Sequence, residues 1–297
     1  MKVGFCGIGK MGAAMVHRLL DTGREVAVWN RSPEKTTPLA ERGAAVARTP
    51  CAVAESCEIV LTSLFDEAAV ADVYDGPDGL LAGSPGGKVF VEMSTVTPAA
   101  IRALGERVRA RGAGLIDCPV SGTVGPAREG KLIGLAGGSA EDFARVRPIL
   151  EQLCRHVDHL GANGAGAAMK LAVNLPLVVY WEALGEALAL CRDAGVDPEL
   201  TLEIMKDSSG GNNALKTRAV KVIAAIRGGA KPEIGFDIEG MAKDVRTMLE
   251  HARTEGLTLP LATRLLGCYE EASAAGWGDR DGSALAAFRL ARAGNPG

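Results

Sequence analysis

Val3-Gly4-Phe5-Cys6-Gly7-Ile8-Gly9-Lys10-Met11-Gly12 opens the chain with a short apolar run that breaks into three spaced glycines. The apolar run predicts a first β-strand. Gly7 then lets the strand turn sharply, Gly9 leaves backbone bare for close approach of a phosphate, and Gly12 lets the next helix pack on the strand. That helix carries Met11, Met15, Val16, Leu19 and Leu20 on one face. Its N-terminus offers free N–H groups and the positive end of the helix dipole, which together hold a pyrophosphate. Glu25-Val26-Ala27-Val28-Trp29 reads as the second strand. Strand, glycine turn, helix and strand in this order predict a dinucleotide site, with Gly7, Ile8, Gly9, Lys10, Met11 and Gly12 around the phosphates. A plain βα turn is the alternative.

The residues after the second strand narrow the cofactor. A site for NAD usually carries a carboxylate there for the adenosine ribose. This chain has Asn30-Arg31-Ser32. A carboxylate would repel the extra phosphate of NADP, whereas Arg31 can stack on adenine and pair with that phosphate, with Asn30 and Ser32 donating hydrogen bonds. NADP is therefore expected, with NAD as the second possibility. The competing reading is a solvated loop in which Ser32 caps a helix that starts at Pro33.

At 297 residues the chain has room for two domains and large cores. A formal charge of −3 provides no broad field for nucleic acid or an anionic membrane. The first strand begins almost at once, so no signal or transit segment is expected and a cytoplasmic protein is. The most apolar stretch, Leu171 to Trp181, is interrupted by Asn174 and Pro176 and falls short of the roughly 20 residues that span a bilayer. Seven cysteines without a CxxC pair read as reduced, mostly buried thiols. His156 and His159 lack a third ligand at metal-site spacing, so no metal is expected.

Residues 1–161 alternate short strands with amphipathic helices, the pattern of a doubly wound parallel α/β sheet of Rossmann type. Expected strands are Lys2–Cys6, Glu25–Trp29, Ile59–Ser63, Val89–Glu92, Gly114–Asp117 and Leu132–Ala136, with Val157–His159 as a short addition at the edge. Gly161-Ala162-Asn163-Gly164-Ala165-Gly166 breaks the pattern. Residues 162–297 are then expected to form an all-α domain. It begins with a helix from Asn163 to Asp193, about 45 Å long at about 1.5 Å per residue, and Pro176 should kink it.

Lys170 and Asn174 stand four residues apart on that helix and share a face in an otherwise apolar setting. A lysine is rarely buried unless paired or used. Desolvation lowers a lysine's pKa toward neutrality, which suits proton exchange with a carbinol oxygen. The alternative is a lysine that snorkels to solvent. Asp117-Cys118-Pro119-Val120-Ser121-Gly122-Thr123 follows a strand and offers backbone N–H groups and two hydroxyls, a fit for a small carboxylate, with a polar turn that merely ends the strand as the equal alternative. Glu92-Met93-Ser94-Thr95-Val96-Thr97-Pro98 and Thr62-Ser63-Leu64-Phe65 end strands on the side where open α/β sheets bind ligands. Lys243-Asp244, by itself, reads as a charge pair on a solvated helix face.

Together these segments resemble the β-hydroxyacid dehydrogenase family along nearly the whole chain. The likeness rests on Gly7 to Gly12, on Asp117 to Gly122, on Gly164 to Lys170 with Asn174 beyond, and on Lys243-Asp244. It implies that Lys170 is the catalytic acid/base, that Asn174 orients substrate, and that Ser121, Gly122 and Thr123 bind its carboxylate. By the same resemblance Thr95 and Lys243 approach the nicotinamide ribose, and Leu64 and Phe65 line the adenosine side. Two positions depart from the common pattern: Thr123 replaces a glycine, and Val173 stands where many members have Asn. Members that reduce glyoxylate or succinic semialdehyde tend to share both departures and to use NADP. Tyr180 and Trp181, one turn beyond Pro176, are less usual.

The expected activity is an NADP-dependent interconversion of a small hydroxy acid with its aldehyde or keto acid. Glyoxylate, succinic semialdehyde and 3-hydroxyisobutyrate are the candidate types. An imine reductase is a rival of the same architecture, against which Lys170 argues, because those enzymes usually replace it. A catalytically silent cofactor-binding scaffold is a rival of another class. Leu175, Leu177, Val178, Val179, Tyr180 and Trp181 nearly encircle the long helix, and a helix apolar all round is normally buried. Part of its surface therefore needs a partner, either the rest of its own domain or a second subunit; the family resemblance implies the second, a homodimer or homotetramer built through the helical substrate domain.

Overall fold

The computed structural model describes residues 2–229 and 234–293. Among the described residues nine strands are formed: β1 Val3–Cys6, β2 Val26–Trp29, β3 Ala45–Val46, β4 Ile59–Thr62, β5 Val89–Glu92, β6 Gly114–Asp117, β7 Val120–Ser121, β8 Leu132–Gly138 and β9 Cys154–His159. The α-helices of the first part are α1 Lys10–Asp21, α2 Thr37–Ala40, α3 Pro50–Ser56, α4 Glu67–Asp75, α5 Pro98–Ala110, α6 Val124–Glu129 and α7 Ala140–Leu153. They are followed by α8 Ala165–Arg192, α9 Pro198–Asp207, α10 Asn213–Ile226, α11 Ile238–Thr254, α12 Pro260–Ala272 and α13 Leu285–Arg292.

The sheet runs β3-β2-β1-β4-β5-β6-β8-β7, with β9 beside β8. The pairs from β3 to β6 are all parallel, in the doubly wound order whose reversal point lies between β1 and β4. Alternate residues enter opposite cores. Val3, Phe5, Val28, Leu61 and Val91 face one core; Cys6, Ala27, Val60 and Phe90 face the other. Burial on both faces is why these strands read as unbroken apolar runs.

The sheet is mixed beyond β6, which corrects the wholly parallel expectation. β8 pairs antiparallel with both β6 and β7, and β9 is parallel to β8. Ser121, expected in a loop, sits on β7 opposite Ile133. β8 extends to Gly138, and β9 starts at Cys154 rather than Val157.

The chain divides into two compact units, Met1–Leu171 and Ala172–Gly297. The break falls inside α8, later than the glycine-rich stretch, because the first turn of this helix is hydrogen-bonded to the sheet. Gly164 and Ala167 donate their backbone N–H groups to Asp117 at 2.9 Å each. The described part of the second unit is helical, with Val178, Trp181, Leu184, Met241, Val245 and Tyr269 buried. The Tyr269 hydroxyl donates to the Val178 carbonyl at 3.0 Å.

α8 continues through Pro176 as one helix. Pro176 has no N–H for the Ala172 carbonyl, and both residues are exposed, where water can serve that carbonyl instead. With an 18-residue stretch of mean hydropathy 1.2, α8 is long and apolar enough to cross a membrane by length and composition, more so than Leu171 to Trp181 suggested. Its buried Val178, Trp181, Leu184 and Leu188 give it the pattern of a core helix, which passes the same test.

Candidate active site

The three glycines differ in what surrounds them. Gly7 has φ +98°, and a Cβ there would lie 2.2 Å from the Ser63 carbonyl oxygen. A Cβ on Gly12 would lie 2.0 Å from the Gly7 carbonyl oxygen, so α1 can close on β1 only through a glycine. Gly9 has nothing within 4 Å and faces open space. It precedes α1, whose N-terminus has no side-chain cap. A bare backbone beside uncapped helix N–H groups is a cradle that fits a pyrophosphate.

Beside this loop lies a cleft of about 410 Å³, lined by Gly7, Gly9, Arg31, Ser32, Leu64 and Phe65 among others. It sits at the carboxyl ends of β1, β2 and β4, where doubly wound sheets bind dinucleotides. Arg31 and Phe65 are exposed at its rim. Asn30 also lines it, but its amide is engaged within the protein: Oδ1 accepts from the Ile8 N–H at 2.8 Å, and Nδ2 donates to the Ser32 carbonyl at 2.9 Å. Asn30 thus ties the glycine loop to the end of β2. Ile8, Lys10, Met11 and Gly12 do not line this cleft. Ile8 is buried in the core with Met11 packed against it, and the Ile8 N–H is bonded to Asn30.

Thr62, Glu92 and Asp117 end β4, β5 and β6 in register with one another, and all three are buried. The Glu92 carboxyl accepts from the Thr62 hydroxyl at 2.6 Å and from the Ser94 N–H at 2.8 Å. The Ser94 hydroxyl oxygen accepts from the Leu64 N–H at 2.7 Å. Glu92 therefore holds, through Ser94, the backbone of Leu64 on the cleft floor. Thr95, half-buried, is the next residue.

Lys170 is half-buried on α8, one turn beyond Ala167 and so close to the carboxyl end of β6. Ser121 closes β7, and Gly122, at φ +134°, turns the chain into α6. Thr123 stands just before α6, yet its hydroxyl does not cap that helix.

In the second unit, Asn174 is buried and donates through Nδ2 to Asp244 Oδ2 at 2.7 Å. The Lys243 ammonium lies 2.6 Å from Asp244 Oδ1, with its side chain only 17% exposed. Lys243-Asp244 is thus a buried bridge to Asn174 and not a pair on a solvated face. No group of three or more His, Cys, Asp or Glu side chains that could hold a metal occurs among the described residues. All seven cysteines are free thiols, four of them buried.

Residues 2–161 match the model of the NAD-binding domain of 6-phosphogluconate dehydrogenase. Residues 164–288 match that of the NAD-binding domain of NADP-dependent 3-hydroxyisobutyrate dehydrogenase. A 3-hydroxyisobutyrate dehydrogenase of Pseudomonas aeruginosa is 37% identical over 92% of this chain and 93% of its own. The chain belongs to the β-hydroxyacid dehydrogenase family. Glyoxylate/succinic semialdehyde reductase 1 of Arabidopsis thaliana is 32% identical over 96% of this chain and 97% of its own. The solved Mycobacterium tuberculosis 3-hydroxyisobutyrate dehydrogenase with L-serine superposes with a TM-score of 0.84 at 29% identity, covering 97% of this chain and 98% of that one. This β-hydroxyacid dehydrogenase is an NAD(P)-dependent oxidoreductase of hydroxy acids.

Several residues around these groups were given no role from the dehydrogenase sequence. Lys35 lines the cleft with Arg31 and Ser32; it follows Ser32 by three residues through a 3₁₀ turn at Pro33–Thr36, a spacing that stacks side chains on one edge. Glu92, Asp117 and Asp244 act through bonds to residues distant in the chain.

Glu92 also makes a pH test. Burial raises its pKa above 4.5, opposed by its bonds with Ser94 and Thr62 and reinforced by the Asp117 charge. A carboxyl with a raised folded pKa contributes stability that is fully present below its unfolded value and is lost as pH rises through the raised one. Glu92→Gln cannot titrate. Its melting temperature should therefore gain on that of the wild type as pH climbs through this window; parallel curves would contradict the assignment.

Proposed function

We propose that this dehydrogenase is NADP-linked and interconverts a small hydroxy acid with its aldehyde or keto acid, with Lys170 as the proton donor and acceptor. The observation that carries this reading is the half-buried Lys170 beside the carboxyl end of β6, on the sheet edge that also bears the glycine loop. The cleft supports NADP: Arg31, Ser32 and Lys35 line it close to the end of β2, where an NAD site usually has a carboxylate.

When bound, the nicotinamide supplies the hydride in reduction or takes it up in oxidation. The residues of this chain do the rest. Gly9 and the α1 N-terminus hold the pyrophosphate, and Leu64 and Phe65 flank the adenosine. Thr95 and Lys243 meet the nicotinamide ribose. Ser121, Gly122 and Thr123 bind the substrate carboxylate, and the Thr123 hydroxyl is not taken up in capping α6. Asn174, fixed by Asp244, orients the substrate oxygen. Lys170 gives its proton to that oxygen as the carbonyl becomes an alcohol, and accepts it in reverse.

The candidate substrates are glyoxylate and succinic semialdehyde in reduction, and 3-hydroxyisobutyrate in oxidation; two relatives above are named for them. A panel of these acids with tartronate semialdehyde, followed by NADPH absorbance, tests the assignment. Turnover of at least one acid is expected. Turnover of a cyclic imine and of no acid would overturn it in favour of an imine reductase.

The same reading makes the protein cytoplasmic and a homodimer or homotetramer, without a nucleic acid or membrane partner. Leu190, Leu200, Ile204 and Val220 in the helical unit are more than half exposed, at 86%, 54%, 60% and 82%. Covering them in an obligate interface would bury about 2,000 Å² or more. Sedimentation equilibrium at low micromolar concentration should find a dimer or tetramer; a fully active monomer would contradict it.

A further inference from the structure

We propose that Asp117 is the positioning residue of Lys170: its carboxylate sets where the helix that carries the lysine begins. The proposal rests on the reading of Lys170 as the acid/base. Asp117 is wholly buried at the end of β6. Oδ1 accepts from the Gly164 N–H at 2.9 Å and from the Asn163 amide at 3.3 Å; Oδ2 accepts from the Ala167 N–H at 2.9 Å. Both carboxylate oxygens are thus occupied by the entry and first turn of α8. A carboxylate at a helix N-terminus is doubly suited, because the bonds are charge-assisted and the helix dipole favours a negative charge.

The surrounding geometry admits little else. A Cβ on Gly166 would lie 2.1 Å from the Leu135 carbonyl oxygen and 2.9 Å from that of Asp117, so α8 rests directly on sheet backbone. A Cβ on Gly137 would lie 2.8 Å from Asp117 Oδ1, so the carboxylate packs against bare glycine backbone. Gly164, at φ +96°, makes the sharp entry into the helix. The glycines that precede Lys170 therefore serve close packing onto Asp117 and its neighbours. Lys170 follows Ala167 by three residues, a little under one turn and about 4.5 Å along the axis at about 1.5 Å per residue. The segment that ends in Ser121, Gly122 and Thr123 leaves the strand directly after Asp117. One side chain thus references the lysine to the base of the loop that binds the substrate carboxylate.

Asparagine is the informative replacement. It has the shape of aspartate but one acceptor and one donor group, so one of the two backbone N–H groups would face another N–H. The first turn of α8 would then shift, and a misplacement of about 1 Å at a reacting group costs on the order of 10²-fold in rate. Asp117→Asn should lower kcat about 10- to 100-fold with the best acid of the panel. The NADPH Kd, read by fluorescence, should stay within about 3-fold, because the glycine loop is untouched. The solvent isotope effect on kcat should rise, since proton delivery becomes slower.

A double-mutant cycle separates this proposal from the reading beneath it. In a Lys170→Ala background, Asp117→Asn should lower kcat no further. Losses that multiply, an unchanged kcat in Asp117→Asn, or an NADPH Kd that weakens as much as kcat falls would each overturn the proposal while leaving Lys170 in place. Full activity of Lys170→Ala alone would instead overturn the acid/base reading, and this proposal with it. Should Asp117→Asn not fold, Asn163→Ala removes the side-chain donor to Oδ1, together with its bonds to the Leu115 and Gly137 carbonyls and to Arg109, and keeps the backbone bonds to Asp117. It should lower kcat about 3- to 10-fold, again only when Lys170 is present; a full kcat, or a loss that persists without Lys170, would overturn the proposal.

Discussion

Lys170→Ala should lower kcat by at least about 10²-fold, the scale of a lost general acid/base, while the NADPH Kd changes little. The expected split follows from where the groups lie. The pyrophosphate cradle and the cleft are built from Gly7, Gly9, Arg31 and Leu64 at the ends of β1, β2 and β4, whereas Lys170 stands beyond the end of β6 on α8. Truncating it removes a proton donor and leaves the cradle intact. NADPH fluorescence reads binding, and steady-state turnover reads chemistry. A variant with near-normal kcat would remove Lys170 from the mechanism. A variant that lost cofactor binding in step with kcat would make Lys170 a structural lysine.

Arg31→Ala should raise KM for NADP about 10- to 100-fold and KM for NAD far less, since one charge-assisted bidentate contact is worth roughly 1.5–3 kcal/mol. Only NADP carries the phosphate that this contact serves. Lys35 lines the same cleft, so the double variant Arg31→Ala/Lys35→Ala should lose more NADP preference than either single one. Equal losses for both cofactors would mean that Arg31 only shapes the loop. Asn30→Asp is a less clean probe than the sequence suggests. Its Nδ2 donates to the Ser32 carbonyl, so aspartate would set two oxygens against each other and damage the loop for both cofactors.

What could be read from the sequence was local. The strand, three glycines and helix at the N-terminus form within one short segment, where Gly7 makes the turn and Gly12 the close packing their spacing implied, and Gly9 faces open space. β4, β5 and β6 were recognised because burial on both faces makes them continuous apolar runs. β3 and β7 were not, since two-residue strands carry no periodicity. The reversed direction of β8 was hidden because an apolar strand reads the same whether its neighbour is parallel or antiparallel. The supports of the site were hidden for the same reason of distance: Asp117 meets Gly164, Glu92 meets Thr62, and Asp244 meets Asn174 only once the chain is folded. Lys243 and Asp244, adjacent in sequence, looked like surface charge until Asn174 took the second carboxylate oxygen of Asp244.

The most direct test of the account follows the hydride itself. NADPH deuterated at the transferable position is turned over with the best carbonyl acid of the panel, and the product is examined by NMR. One deuterium per turnover is expected on the carbinol carbon of a hydroxy acid. Deuterium appearing only in an amine formed from a cyclic imine, or in no organic product at all, would contradict it.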